Sequence, residues 1–124
     1  MTSRRAEKPK FKWPRNVFQK ALAAALADIP DNIRASIENV SIMVENGPSD
    51  EGLLGLYVGT PINERGLFEY QSAVPDTITL YRYDIERISR TEQALRKNIR
   101  DTLIHEIAHY FGMSEADIEK RGFG

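Results

Sequence analysis

The sequence predicts one domain that combines α-helices with a small β-sheet. Its 124 residues match the usual size of a single domain. Apolar residues recur every three or four positions in residues 15–29 and 95–107, which indicates a helix near each end of the chain. They alternate with polar residues at 40–45 and 77–83, which indicates strands between these helices.

The composition limits the possible functions. Hydrophobic residues make up 41% of the chain, enough for a packed core, and the net charge of −1 gives no overall attraction to nucleic acid or anionic lipid. The chain has no cysteine, which excludes disulfides, thiolate-bound zinc and a cysteine nucleophile. Any metal ion must therefore be held by His, Asp, Glu or carbonyl oxygens.

Basic residues are concentrated at the beginning of the chain. The first 15 residues contain six basic residues and one acidic residue, so they carry +5 while the remainder carries −6. Because residues 1–14 are polar and lack periodicity, we predict a disordered basic tail that adds nothing to stability, followed by a single domain at 15–124. Phe11 and Trp13 leave open whether the tail stacks on nucleic-acid bases or packs on the domain. We do not expect the domain to bind nucleic acid, and only this basic tail would contact it.

No segment of the sequence is long enough to span a membrane. The longest uncharged apolar run, residues 21–27, has seven residues against about 20 for a spanning helix. Ala25-Leu26-Ala27 after a basic stretch is similar to a signal-peptide cleavage site. The apolar stripe from Phe18 to Ile29, with spacings of three and four, instead favours an amphipathic helix facing a core. We therefore predict a cytoplasmic protein.

The first two-thirds of the chain are predicted to contain two helices and three strands. The helices cover about 15–28 and 31–39, and the strands cover about 40–45, 53–58 and 77–83. Gly55 in the second strand indicates a bulge or the close approach of another backbone. The long connection 59–76 is expected to be functional or to contain a short strand at 67–71.

The last third of the chain is predicted to be helical. Ser89 and Glu92 match a capping box at the start of a long helix, whose two apolar stripes indicate that it is largely buried. Gly112 is expected to end this helix in a left-handed conformation. Ser114 with Asp117 matches a second start signal, for a short terminal helix.

The long helix contains the sequence His105-Glu106-Ile107-Ala108-His109. Two histidines four residues apart project from one face of a helix, close enough to bind the same zinc ion, with Glu106 beside them. The alternative is a pair of core histidines that satisfy a buried glutamate. Because an unpaired carboxylate in an apolar helix is costly and a dication removes that cost, we predict a Zn²⁺ site with His105 and His109 as ligands.

A catalytic zinc ion usually has three protein ligands and a water molecule in the fourth position. In the pattern HExxHxxGxx, a turn at the glycine returns a residue six positions beyond the second histidine to the metal. Gly112 has the required spacing, and Glu115 occupies the ligand position. Asp117 is the alternative ligand, although its predicted role as a helix cap already explains an acidic residue at this position. A site without a third protein ligand also stays open.

The sequence HEIAHYFGMSE, together with LLGLYVGTP at 53–61 and ITLYR at 78–82, resembles the small bacterial minimal-zincin family of zinc-dependent metallopeptidases. The resemblance covers about residues 15–121. It implies an α+β fold in which a small three- to four-stranded sheet packs against the active-site helix.

The resemblance also implies roles for individual residues. His105 and His109 would bind zinc, and Glu106 would be the catalytic base. Family members commonly have Asp where this chain has Glu115, which is one methylene longer. The chain lacks the methionine turn of the larger metzincins, because no Met follows Glu115.

The expected activity is hydrolysis of a peptide or protein substrate, with Glu106 moving a proton from water to the leaving amine. Strand 53–58, if it forms the sheet edge, would pair with an extended substrate. Asp101 would accept a hydrogen bond from His105 or form a surface ion pair with a neighbouring arginine. Candidates for stabilising the oxyanion are Tyr57, Arg65, Tyr83 and Tyr110.

Two other functional classes stay open. One is a metal-binding regulatory module without proteolytic activity. The other is a zinc-dependent endoribonuclease, whose zinc ligands have the same spacing and which the basic tail would suit. Endoribonucleases of that type have His at the position of Glu115 and do not need Glu106. Salt-sensitive RNA binding would distinguish this class from a peptidase.

Overall fold

The computed structural model describes residues 10–61 and 75–120. Within these ranges the chain forms an α+β fold, as predicted, with the following elements in chain order. They are α1 (Arg15–Ala27), α2 (Asp31–Ser36), β1 (Ser41–Glu45), β2 (Gly55–Val58), β3 (Thr77–Tyr81), α3 (Arg82–Arg87), α4 (Glu92–Tyr110) and α5 (Glu115–Lys120). None of the helices in these ranges is long and apolar enough to cross a membrane.

The three described strands form one sheet in the order β1-β3-β2. β1 runs parallel to β3, with Ile42 opposite Ile78, and β2 runs antiparallel to β3, with Gly55 opposite Leu80. Since β3 is central, Ile78 and Leu80 are fully buried. Among the described strands, β1 and β2 are therefore at the two edges. The short strand predicted at 67–71 lies outside the described residues.

The core lies between one face of the sheet and the helices α1 and α4. The apolar stripe predicted along α4 is buried, and α1 contributes Phe18 to the same cluster. The fully buried apolar residues of these two helices are Phe18, Leu95, Ile99 and Leu103. The long helix thus packs against the core, and its second half lies beside β2.

The third strand is shorter than the sequence predicts. It ends at Tyr81, and the predicted strand residue Tyr83 lies in α3. The alternation of polar and apolar residues continues to position 83, but Arg82 and Glu86 form a buried ion pair of 2.8 Å between positions i and i+4 of the helix. The Tyr83 amide donates to the Asn46 carbonyl. The ion pair, which joins residues one helical turn apart, favours a helix over two further strand residues.

The capping box predicted at the start of the long helix is also wrong. Thr91 is the N-cap of α4, and its side chain accepts a hydrogen bond from the Ala94 amide. Ser89 is buried, donates its hydroxyl to the Ile85 carbonyl at the end of α3, and accepts from the Asn98 side chain. The cap lies two residues later because Ser89 is already bonded to the Ile85 and Glu86 carbonyls of α3.

Residues 11–14 belong to the folded part of the chain and not to the predicted disordered tail. The guanidinium of Arg82 lies 3.9 Å from the centre of the Phe11 ring and donates to the Trp13 carbonyl at 2.6 Å. The Lys12 amide donates to Glu86 at 2.7 Å. Of the two roles left open for Phe11 and Trp13, packing on the domain is the one observed. Residues 1–9 lie outside the described ranges.

Candidate metal centre

The second half of α4 presents both histidines of the chain on one face. The ring centres of His105 and His109 are 4.9 Å apart, as expected for neighbours one helical turn apart. Their side chains are 24% and 25% exposed. Glu106 points to the sheet and is buried. The two imidazoles and the largely buried Glu106 side chain therefore line the same cleft.

A turn centred on Gly112 brings the chain back to these histidines. Gly112 has φ +89°, the left-handed conformation predicted for the end of the helix. Ser114 and Asp117 then form the predicted reciprocal cap of α5, with amide-to-side-chain hydrogen bonds of 3.1 and 3.2 Å. Glu115 is the first residue of α5. The turn thus places the Glu115 side chain over the face of α4 that carries the histidines.

One carboxylate oxygen of Glu115 contacts both imidazoles. Its Oε2 lies 3.0 Å from Nε2 of His105 and 2.7 Å from Nε2 of His109. The ligand atoms of the three residues all lie within 4.8 Å of one another. Asp117, the alternative third ligand, has its carboxylate at the Ser114 amide. The geometry therefore groups Glu115 with the histidines as a candidate metal site.

The hydrogen bond between His109 and the Met113 carbonyl indicates that the cluster of His105, His109 and Glu115 fits a cation. Its Nδ1 lies 3.1 Å from the Met113 carbonyl, which only accepts hydrogen bonds, so Nδ1 carries the proton. In the neutral ring Nε2 then has a lone pair, and it faces a carboxylate oxygen of Glu115. Two lone pairs at this distance require a proton or a metal ion between them. Two imidazole nitrogens and a carboxylate are a donor set that zinc prefers.

The electrostatics of the two acids differ. Hydrogen bonding from His105 holds the pKa of Glu115 below its usual value, which favours the charged carboxylate. Burial raises the pKa of Glu106, although the nearby His109 and a hydrogen bond from the Tyr57 backbone amide oppose that rise. Glu106 is therefore the acid of the site with the greater tendency to hold a proton.

The edge strand β2 lies directly against α4 beside this site. A side chain at Gly55 would meet Thr102 Cγ2 at 2.7 Å and Glu106 Cγ at 3.2 Å. Of the two roles predicted for Gly55, the close approach is therefore observed, and the approached element is α4. This contact explains how the Tyr57 amide reaches the Glu106 carboxylate.

Among the described strands, β2 lies at the edge of the sheet beside the site. The Tyr81 amide donates to the Leu54 carbonyl, and the antiparallel register pairs Leu56 with Thr79. Because hydrogen-bonding residues alternate along an antiparallel strand, Leu56 bonds to β3, while the backbone groups of Gly55 and Tyr57 point away from it. A cleft of about 750 Å³ extends along this edge, between β2, α4 and the turn at residues 112–115.

Most of the residues predicted to support the reaction have other partners. Asp101 forms an ion pair of 2.6 Å with Lys97, and lies 3.9 Å from Arg100. Among the oxyanion candidates, the Tyr57 hydroxyl donates to Asp76 at 2.6 Å, and the Tyr110 hydroxyl donates to the Ser36 carbonyl at 3.1 Å. Tyr83 stacks edge-on against Phe11, and Arg65 lies outside the described residues.

Two backbone groups of the site were missed by the sequence analysis. The Met113 carbonyl orients His109, and the Tyr57 amide binds Glu106. Backbone groups leave no side-chain signature. The only signals were Gly112, which predicted a turn after the helix, and Gly55, which predicted a close approach.

Comparisons with known proteins show the fold and the family of the chain. No curated protein matches the chain. A conserved hypothetical protein from Thermus thermophilus has a similar solved structure, with a TM-score of 0.58 and 19% identity over 80% of this chain and 94% of that chain. This similarity supports the fold alone. A family model described as zincin-like metallopeptidase matches residues 32–124, which include α4, the turn and α5. The chain therefore belongs to the zincin-like metallopeptidase family.

Proposed function

We propose that the chain is a zinc-dependent peptidase in which His105, His109 and Glu115 hold the metal and Glu106 is the general base. The observation that carries the proposal is the contact of one Glu115 oxygen with Nε2 of both histidines, at 3.0 and 2.7 Å. Three protein ligands leave a fourth position for water, as catalytic zinc sites require. Membership of the family supports the same reading.

Glu106 has the position and the electrostatics of a base. It lies beside the ligands but is not one of the three ligand atoms that converge. When bound, zinc supplies Lewis acidity, which polarises a peptide carbonyl and acidifies water. Glu106 takes a proton from the water that attacks the carbonyl carbon. It then gives this proton to the amine nitrogen as the carbon–nitrogen bond breaks. The rise in its pKa caused by burial favours this proton-carrying role.

The edge of β2, the outer strand among the described ones, would hold the substrate in place. The outward amide and carbonyl of Gly55 are the groups that would pair with an extended substrate backbone. Addition of a strand to this edge would bring a peptide bond past the metal ligands. Gly55 is suited to this role because the strand lies so close to α4 at this position.

The test compares the wild type with Glu106→Gln in zinc content and in hydrolysis of a mixed peptide library. Glu119→Gln, in the exposed part of α5, is the matched control. We expect one zinc ion per chain in all three proteins. Hydrolysis should fall at least about a hundredfold in Glu106→Gln alone, since the base is lost while the ligands stay.

Three results would contradict the proposal. Hydrolysis by Glu106→Gln at the wild-type rate would remove Glu106 from the mechanism. Zinc binding without hydrolysis by the wild type would favour the regulatory module. RNA binding that weakens steeply with salt, together with RNA cleavage, would favour the endoribonuclease class.

A further inference from the structure

A second groove runs along a different face of α4, between this helix and α1. The α4 residues that line it are distinct from those that line the cleft beside the histidines. Two adjoining openings of about 600 and 350 Å³ form the groove, and both are lined by Ala25, Asp28 and Arg100. Along α4 the lining extends from Gln93 to Ile107, which is about 21 Å at 1.5 Å per residue. The groove is therefore long enough for a helix of about four turns.

The smaller opening is an apolar pit. It is lined by Ile29 and Ile33, from α2 and the connection before it, and by Leu103, Ile104 and Ile107 of α4. Ile33 and Ile104 are only partly buried. The volume of about 350 Å³ is near the lower end of the range for ligand pockets. The pit is therefore large enough for an apolar side chain of a partner, the kind of buried anchor that contributes most to protein interfaces.

The larger opening is basic. Three exposed cations line it, Arg96, Lys97 and Arg100, and Asp28 is the acidic residue among the described ones that line it. Lys97 pairs with Asp101 at 2.6 Å, and Arg100 lies 3.9 Å from the same carboxylate. Exposed ion pairs of this kind contribute little to stability. The cations of the groove are therefore available to the carboxylates of a partner.

The charge and the apolar pit together select the occupant. The chain after its first 15 residues carries −6, so the basic opening is a local exception that attracts an acidic partner. The chain's own tail is basic and would be repelled. Nucleic acid would contact the cations through its phosphates but would leave the apolar pit unfilled. A protein helix with acidic residues towards one end and large apolar residues towards the other satisfies both openings.

We propose that this groove binds an amphipathic helix of a partner protein, with acidic side chains at Arg96 and Arg100 and apolar side chains in the pit beside Ile104. Laying an amphipathic helix into a groove is a common mode of recognition. On α4 the positions of Arg96 and Ile107 are about 16 Å apart. The acidic and apolar anchors of the partner are therefore expected to lie about three helical turns apart. This inference does not depend on the proposed peptidase function, because the groove and the metal centre use different residues of α4.

The experiment measures binding of fluorescent helical peptides of about 18 residues, with blocked ends, to the full chain by anisotropy. Two peptides carry three Glu residues and a Leu and Phe pair about ten residues apart on one face. Their order is opposite, since a helix can lie in the groove in either direction. Variants of each have Lys in place of Glu, or Ser in place of Leu and Phe. We expect one order to bind, and both of its variants to bind at least about tenfold more weakly. A chelator should leave this binding unchanged.

A pair of arginine variants tests the basic opening. The double variant Arg96→Ala and Arg100→Ala removes two of its cations. The double variant Arg87→Ala and Arg90→Ala is the matched control, because these exposed arginines are not among the residues that line either opening. We expect the first protein to bind the acidic peptide at least about tenfold more weakly, because each lost charge pair lowers the affinity, and the control to bind like the wild type.

A pair of isoleucine variants tests the apolar pit. Ile104→Ser removes part of its wall, and Ile88→Ser is the matched control, since Ile88 is 44% exposed and lies outside the groove. We expect Ile104→Ser to weaken binding about three- to tenfold and Ile88→Ser to leave it unchanged. Melting temperatures show whether each variant is folded. If Ile104→Ser unfolds, the arginine variants and the Ser peptides decide the result.

The outcomes support or overturn the inference as follows. Binding that needs both the Glu residues and the apolar pair, and that the groove variants weaken while their controls do not, supports it. No binding of either order, equal binding of the Lys peptides, or equal effects of the groove and control variants would overturn it. Tighter binding of a 12-nucleotide RNA, measured alongside, would also overturn it and would assign the basic opening to nucleic acid. None of these results changes the proposed peptidase function, which zinc content and hydrolysis test separately.

Discussion

Two buried glutamates on neighbouring helices have opposite environments. Glu86 in α3 is 1% exposed and is bonded to the Arg82 guanidinium at 2.8 Å. It also accepts the amides of Lys12 and Trp13 at 2.7 and 3.3 Å. Glu106 in α4 is 7% exposed, and no described Lys or Arg pairs with it. Burial raises the pKa of Glu106.

The difference shows that burial alone does not identify a functional carboxylate. A buried charge is tolerated when a cation and hydrogen-bond donors satisfy it, as at Glu86. At Glu106 the protein supplies one backbone amide and two imidazoles nearby. A metal ion held by His105, His109 and Glu115 would provide the positive charge that the protein itself leaves out.

The largest expected effect tests whether a metal supplies that charge. His105→Ala or His109→Ala should abolish stoichiometric zinc binding, and Glu115→Ala should lower zinc affinity by orders of magnitude, because each removes a ligand from a three-residue site. Glu115→Asp should be milder, since it keeps the carboxylate. Zinc per chain is measured by elemental analysis after dialysis, with Glu119→Ala as control. Full zinc occupancy in either histidine variant would refute the assignment.

The second effect contrasts the two glutamates in stability. Glu86→Gln leaves the buried Arg82 without its counter-charge, which should cost about 3–5 kcal/mol in the free energy of unfolding. Glu106→Gln removes a buried carboxylate that has no such partner, so the metal-free protein should be as stable as the wild type or more stable. Urea unfolding in the presence of a chelator compares the variants. Equal losses at the two positions would mean that both carboxylates are structural.

The third effect concerns the chain segment that completes the Glu86 cluster. Deletion of residues 1–12 removes the Lys12 hydrogen bonds to Glu86 and to the Arg87 and Ser89 carbonyls. It also removes the Phe11 ring from Arg82. We expect a loss of about 1–3 kcal/mol, seen as a lower melting temperature. Deletion of residues 1–9 is the control, because it keeps all of these contacts. If the longer deletion leaves the melting temperature unchanged, the prediction that the tail adds nothing to stability would be correct.

The smallest effect separates the two acids after Gly112. Asp117→Ala removes one half of a reciprocal cap, which should cost about 1 kcal/mol with zinc retained. Thermal unfolding and zinc content are measured on the same samples. If Asp117→Ala loses zinc and Glu115→Ala keeps it, the third ligand lies two residues further along and the assignment of Glu115 fails.

The local features of the site could be predicted because each depends on residues close in sequence. The spacing of His105 and His109 places them on one helical face wherever the helix lies. Gly112 allows the left-handed turn, and Ser114 with Asp117 forms the cap that starts α5. Together these elements bring Glu115 back over α4. Their geometry follows from backbone conformation and short-range hydrogen bonds, which are encoded within a few residues.

Only the tertiary structure decided which distant segments meet. β3 pairs with β1 on one side and with β2 on the other, so β2 lies at an edge of the described sheet. The close contact of Gly55 with α4 brings the Tyr57 amide near Glu106. The buried Arg82–Glu86 pair lies in a helix where the sequence predicts the end of a strand. Lys12 and Trp13, which are distant in sequence, form hydrogen bonds with this pair. Such contacts join residues whose partners are set by packing. Their energies depend on burial and on satisfied charges, neither of which a periodic pattern records.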